Sequence, residues 1–149
     1  MTTFKIFVDR FNKSEDSKTS TQAGIDLLEK EFKIYLPSDF KTFLLHFGDI
    51  WTPGILDLVV DKESDLNDVS QFWDVEQIIY DKKNEWTSSV SVDIIPFASD
   101  CMGNIFAFLA NDLKRQKASS AIYFFDHDFD TVEKIAESFT EWIDKFNQL

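Results

Sequence analysis

The chain has 149 residues, 44% apolar and 15% aromatic, with sixteen phenylalanines and a formal net charge of −12. That apolar content provides for one ordinary domain with a core and excludes a disordered chain, and no apolar run reaches the roughly 18–20 residues of a membrane span. The negative field excludes binding to nucleic acid or anionic membrane and favours a basic protein partner, although acidity also serves solubility alone.

In chain order, Phe4, Phe7, Val8 and Phe11 stand at i, i+3, i+4 and i+7, which predicts a short helix. Residues 12–21 are polar and without period, so they read as a mobile connection. Ser20 or Thr21 can cap a second helix running to about residue 33, with Ile25, Leu28 and Phe32 inward. Leu36-Pro37-Ser38 is a boundary, with Ser38 a candidate cap for a helix that carries Phe40, Phe43, Leu44 and Phe47. Gly48 is its expected stop.

Residues 51–54 read as a turn and residues 55–60 as a strand. Asp74-Val75-Glu76-Gln77 predicts a capped helix with Val75, Ile78, Ile79, Lys82 and Trp86 at helical spacing. Strands are expected over residues 93–98, 104–110 and 121–126, the first two joined by a turn at Met102-Gly103-Asn104. Ser138-Phe139-Thr140-Glu141 is a capping box opening a last helix that turns Phe139, Trp142, Ile143 and Phe146 inward. Short connections between neighbouring strands favour antiparallel pairing. The expected fold is a single α+β domain over residues 1–149: N-terminal helices, an antiparallel β-sheet with an inserted helix, and a C-terminal helix packed on the sheet.

The distribution of charge is uneven. Residues 57–85 hold nine acids against three lysines, a surplus of six and thus half the whole excess. Asp61, Glu63, Asp65 and Asp68 lie in its least regular part and, with Asp57 just before them, are candidate partner contacts, since loops on a rigid scaffold often carry binding. Trp51 and Trp73 lie near element ends and are candidate anchors for a partner, since tryptophan is enriched among binding hot spots. The competing reading is an ordinary solvated surface with partly buried tryptophans.

Little points to chemistry. Asp126, Asp128 and Asp130 occupy the first, third and fifth positions of a calcium loop, with Glu137 at the twelfth. Thr131 stands where that loop needs glycine, and Glu133 where it needs an apolar residue, so an acidic turn after a strand is preferred. His46 and His127 are isolated, and no base is oriented by a third group. Cys101 is the single cysteine, so no internal disulfide can form, and Asp100 beside it opposes a reactive thiolate. No signal-peptide pattern is visible at the start. The expectation is a cytoplasmic protein with no catalytic residues, no metal and no cofactor.

Four stretches carry a family likeness. Ile25-Asp26-Leu27-Leu28-Glu29 leads to Leu36-Pro37-Ser38-Asp39-Phe40-Lys41-Thr42-Phe43-Leu44 and then Gly48. Ile95-Pro96-Phe97-Ala98-Ser99-Asp100 leads to Gly103-Asn104-Ile105-Phe106-Ala107-Phe108. Ile122-Tyr123-Phe124-Phe125-Asp126-His127-Asp128 and Ser138-Phe139-Thr140-Glu141-Trp142-Ile143 complete the order. In these the chain resembles the SUKH superfamily, whose founding eukaryotic member is a yeast cell-wall synthesis regulator. The resemblance covers about residues 22–148, leaves residues 1–20 as an extension, and departs at Asp49, where members often carry a second glycine.

Most bacterial members look like immunity proteins encoded beside polymorphic toxins, often nucleases, which they bind and silence. The resemblance therefore implies a non-catalytic immunity protein whose partner is a cognate toxin from a neighbouring gene. The acidity agrees, because a nuclease that holds phosphates tends to be basic. The alternatives are a regulatory protein-interaction module and, behind it, a metal-dependent hydrolase built on residues 126–130.

Overall fold

The computed structural model describes residues 1–84 and 92–149. Among them are six α-helices: α1 (Thr2–Phe11), α2 (Gln22–Phe32), α3 (Ser38–His46), α4 (Gly54–Asp61), α5 (Val75–Lys83) and α6 (Phe139–Asn147). The strands are β1 (Ile50–Trp51), β2 (Gln71–Phe72), β3 (Ile94–Ser99), β4 (Ile105–Leu109), β5 (Ile122–Asp126) and β6 (Thr131–Ala136). They form one sheet in sequence order, every neighbouring pair antiparallel. The α+β architecture is the expected one. Trp86, assigned by its spacing to the α5 stripe, lies outside the described residues.

The core is aromatic. α6 exposes almost none of Phe139, Trp142, Ile143 or Phe146. Its Phe139 ring stands 5.0 Å from Phe40 of α3 and 5.5 Å from Phe4 of α1, and Trp142 stands 4.9 Å from Phe106 of β4. A register shift between Pro96 and Ala98 in β3 lets Phe97 join the same cluster, 4.8 Å from Phe108. Each buried phenylalanine is worth about 1.5–3 kcal/mol in transfer, and edge-on ring pairs add about 0.5–1.5 kcal/mol.

The N-terminal extension belongs to this core. Phe4, Phe7 and Phe11 are buried, and α1 packs along α6. Arg10 donates to the Asn147 carbonyl at 3.1 Å, placing a cation at the C-terminal end of α6, where the helix dipole favours one.

The caps are partly as expected. Thr21 accepts from Gly24 N, Asp74 from Gln77 N and Ser138 from Glu141 N, each at 2.9–3.0 Å. Ser38 is not a cap. Pro37 holds that position, and the first amides of α3 donate to the carbonyls of Lys117 and Ala118. Asp39 instead joins two helix starts, accepting from Phe40 N and from Thr140 N and Oγ1.

Two readings need correction. Residues 55–60 are not a strand but most of α4. A strand would put Asp57 on one face with Ile55 and Val59. The helix gathers Ile55, Leu58 and Val59 on the core and leaves Asp57 and Asp61 in solvent. Residues 51–54 do hold a turn at Pro53, between the end of β1 at Trp51 and the start of α4 at Gly54. Residues 12–21 have no regular element but are bonded along their length. Lys13 N donates to Trp51 O at 2.8 Å, Asp49 N to Lys18 O at 3.2 Å and Ser20 N to Leu44 O at 2.9 Å. Gly48 makes that approach possible: at φ +65°, a Cβ there would lie 1.9 Å from Lys18 O.

Candidate functional site

The up-and-down sheet brings three connections to one end. Trp51 pairs with Gln71, Gln71 with Ser99, Ser99 with Ile105, Ile105 with Phe125, and Asp126 with Thr131. Trp51, the loop of residues 62–70, the turn of residues 100–104 and the turn of residues 127–130 therefore lie side by side.

Hydrogen bonds fix these connections to one another. The nearly buried Asp100 carboxylate accepts from Met102 N at 2.9 Å, Asn104 N at 2.8 Å and Asn104 Nδ2 at 2.9 Å. Asn104 Oδ1 in turn accepts from His127 N at 3.1 Å and lies 2.7 Å from His127 Nδ1. Asp68 Oδ2 accepts from Cys101 N at 3.3 Å, tying the acidic loop to the same turn.

Burial pushes the Asp68 carboxyl above its ordinary value. The Cys101 amide offsets part of this, and the charge of Asp100 adds to it. Asp68 has no cationic partner among the described residues. The Cys101 thiol is raised as well, by burial first and then by the charge of Asp68, the opposite of what a nucleophilic cysteine needs.

Residues 126–130 form a hairpin turn. Asp126 Oδ1 accepts from Asp128 N at 2.9 Å and Phe129 N at 3.3 Å, so its oxygen serves the backbone. Among the described residues, no group of three or more His, Cys, Asp or Glu side chains is placed to hold a metal ion. His46 lies on an exposed part of α3, its Nδ1 2.9 Å from Thr42 O.

The residues picked from sequence divide. Asp65 and Asp68 belong to this end of the sheet. Asp57 and Asp61 stand on α4, lining a groove of about 350 Å³ opposite Arg10 and Lys13. Glu63 follows α4 in the left-handed conformation, φ 51°. Trp51 is 51% exposed, but Trp73 is only 7% exposed, so the expectation of Trp73 as a partner anchor is corrected. The Trp73 amide donates to Phe97 O at 2.9 Å, which continues the β2–β3 pairing.

Sequence reading missed Met102 and Phe129, which stand 67% and 76% exposed on adjoining turns. A signal was present. Each is a large apolar residue inside a short turn whose other residues are small or polar.

Helices followed by a six-stranded antiparallel sheet, with two helices inserted and a last one buried on it, define an α+β domain of the helix-covered, up-and-down kind. The SMI1 / KNR4 family (SUKH-1) model matches residues 19–145, and the chain belongs to that family. No curated protein matches it. Helix α1 precedes the matched residues, although its side chains fill the core.

Proposed function

We propose that this chain is a non-catalytic immunity protein of the cytoplasm. It binds and neutralises a cognate, basic, nuclease-type toxin by one-to-one protein–protein contact. Membership of the SUKH-1 family supports the class of function. The observation that carries the surface is the acidic sheet end, where Asp68 stays beside Asp100 without a cation while Met102 and Phe129 protrude next to it. Acids speed encounter with a basic partner, and apolar anchors slow its release. The proposed surface takes in Trp51 and Asp65 at this end and reaches to Glu63, Asp61 and Asp57 on and just after α4. Among the described residues no helix is long and apolar enough to cross a membrane.

The test uses the purified product of the adjacent gene. It should bind this chain one to one and lose its toxic activity. Association should slow as salt rises, because the Debye length falls from about 10 Å at 0.1 M to about 3 Å at 1 M. Reversing Asp61, Glu63 and Asp65 to Lys should slow association in low salt with the fold intact. Association of that variant at the parental rate would remove these acids from the surface.

A further inference from the structure

The two edges of the sheet are treated differently. β1 has two residues, and its outer side is covered: Trp51 N donates to Asn12 Oδ1 at 3.1 Å, and Trp51 O accepts from Lys13 N. β6 has six residues, four of them exposed in succession. Among the described residues, the only group that bonds its backbone from outside the β5–β6 hairpin is Lys145 Nζ, which donates to Ile135 O at 3.1 Å. A long open edge is a template for another strand, and proteins normally shorten or cover such edges.

The surroundings of β6 state what kind of strand fits. Beside it runs a groove of about 570 Å³ with Leu66, Ile135 and Trp142 among its lining residues and Asp65 and Glu133 also in its walls. Its two lysines are already engaged, Lys134 with Glu137 at 2.7 Å and Lys145 with Glu141 at 3.4 Å. Asp65, Asp130 and Glu133 have no ion-pair partner among the described residues. The uncompensated charge along the edge is therefore negative. A second copy of this chain would bring another −12 to it and is disfavoured.

We infer that β6 captures an extended, basic segment of the partner as a seventh strand, with alternate apolar side chains entering the groove over Leu66 and Trp142 and lysines or arginines meeting Asp65, Asp130 and Glu133. This rests on the proposed function and specifies how the partner docks. Backbone pairing supplies affinity in such strand addition, and the flanking side chains supply specificity.

The first probe is a short peptide of alternating lysine and valine, titrated into the isotope-labelled chain and followed by amide shifts. Shifts should concentrate on residues 131–136, and raising salt should abolish them. A peptide of alternating glutamate and valine should leave them unmoved. Shifts confined to α4 and its groove, or shifts given equally by both peptides, would overturn the inference.

The second arm uses proline. Of Val132 and Glu133, one amide points to β5 and the other outward, because pairing directions alternate along an antiparallel strand. Val132→Pro and Glu133→Pro are both made, and the variant whose thermal unfolding matches the parent is read. Loss of one outward donor should weaken capture of the peptide about tenfold. Undiminished binding sinks the inference. The same variant is then tried on the product of the adjacent gene. If parent and variant bind it equally, the edge is not the docking site while the proposed function stands. If neither binds it, the proposed function fails, and the peptide alone decides the edge.

Discussion

Asp68 shows how one side chain can oppose the fold that holds it. Its carboxyl is raised by burial and by Asp100, so the folded state binds a proton more readily than the unfolded chain does. Such a group contributes stability at low pH and loses it as pH rises through the raised value. At neutrality the ionised Asp68 is a liability. Asp68→Asn keeps an oxygen for Cys101 N and removes the charge. The variant should melt above the parent at pH 7, with the gain vanishing in acid below the ordinary carboxylate range; a lower melting point at pH 7 would contradict the electrostatic account. Gly48 is the other telling residue. A side chain at φ +65° costs about 1–3 kcal/mol by itself, and here its Cβ also meets Lys18 O. Gly48→Ala should therefore lower stability in urea unfolding by at least that much. At Gly54 nothing lies within 4 Å of an added Cβ, and Gly54→Ala should raise stability by about 0.4–1 kcal/mol.

Helix α1 lies before the family match at residues 19–145, yet it buries three phenylalanines against α3, α6 and β2. Truncating one buried phenylalanine costs about 3–5 kcal/mol, a large part of the roughly 5–15 kcal/mol that holds a domain. Phe7→Ala should fall in that range, and a chain begun at residue 19 should lose its cooperative melt. Retention of the parental thermal midpoint by the truncated chain would show α1 to be an accessory. The elements legible in the sequence are those with an apolar helical stripe, namely α1, α2, α3, α5 and α6, of which α2, α5 and α6 also carry a side-chain cap, together with the apolar runs that form β3, β4 and β5. α4 was not legible, because a short apolar run does not distinguish helix from strand and only burial of Ile55, Leu58 and Val59 decides. β1 and β2 are too short to show a period. β6 is too polar and exists through its register with β5.

For the molecule as a whole, a net charge of −12 sets two opposed effects. It favours encounter with a basic partner and repels the compact chain from itself. Moderate sodium chloride should raise the thermal midpoint of the free chain by screening that repulsion while slowing its association with the partner. Melting curves and stopped-flow association in the same salt series test this, and parallel changes in the two would refute a common electrostatic origin.

The sequence by itself determined the α+β class, the antiparallel sheet, the aromatic core face of α6 and the family, because these rest on periodicity, caps and motif order within short stretches. Tertiary structure alone decided which acids and apolar residues share a surface. Asp68, Asp100, Met102 and Phe129 are spread over three connections, and only the in-order sheet brings those connections to one end. The same holds for the edges. Whether a strand's outer amides are free depends on distant segments: residues 12–13 cover β1, and among the described residues Lys145 alone reaches the backbone of β6 from outside the β5–β6 hairpin.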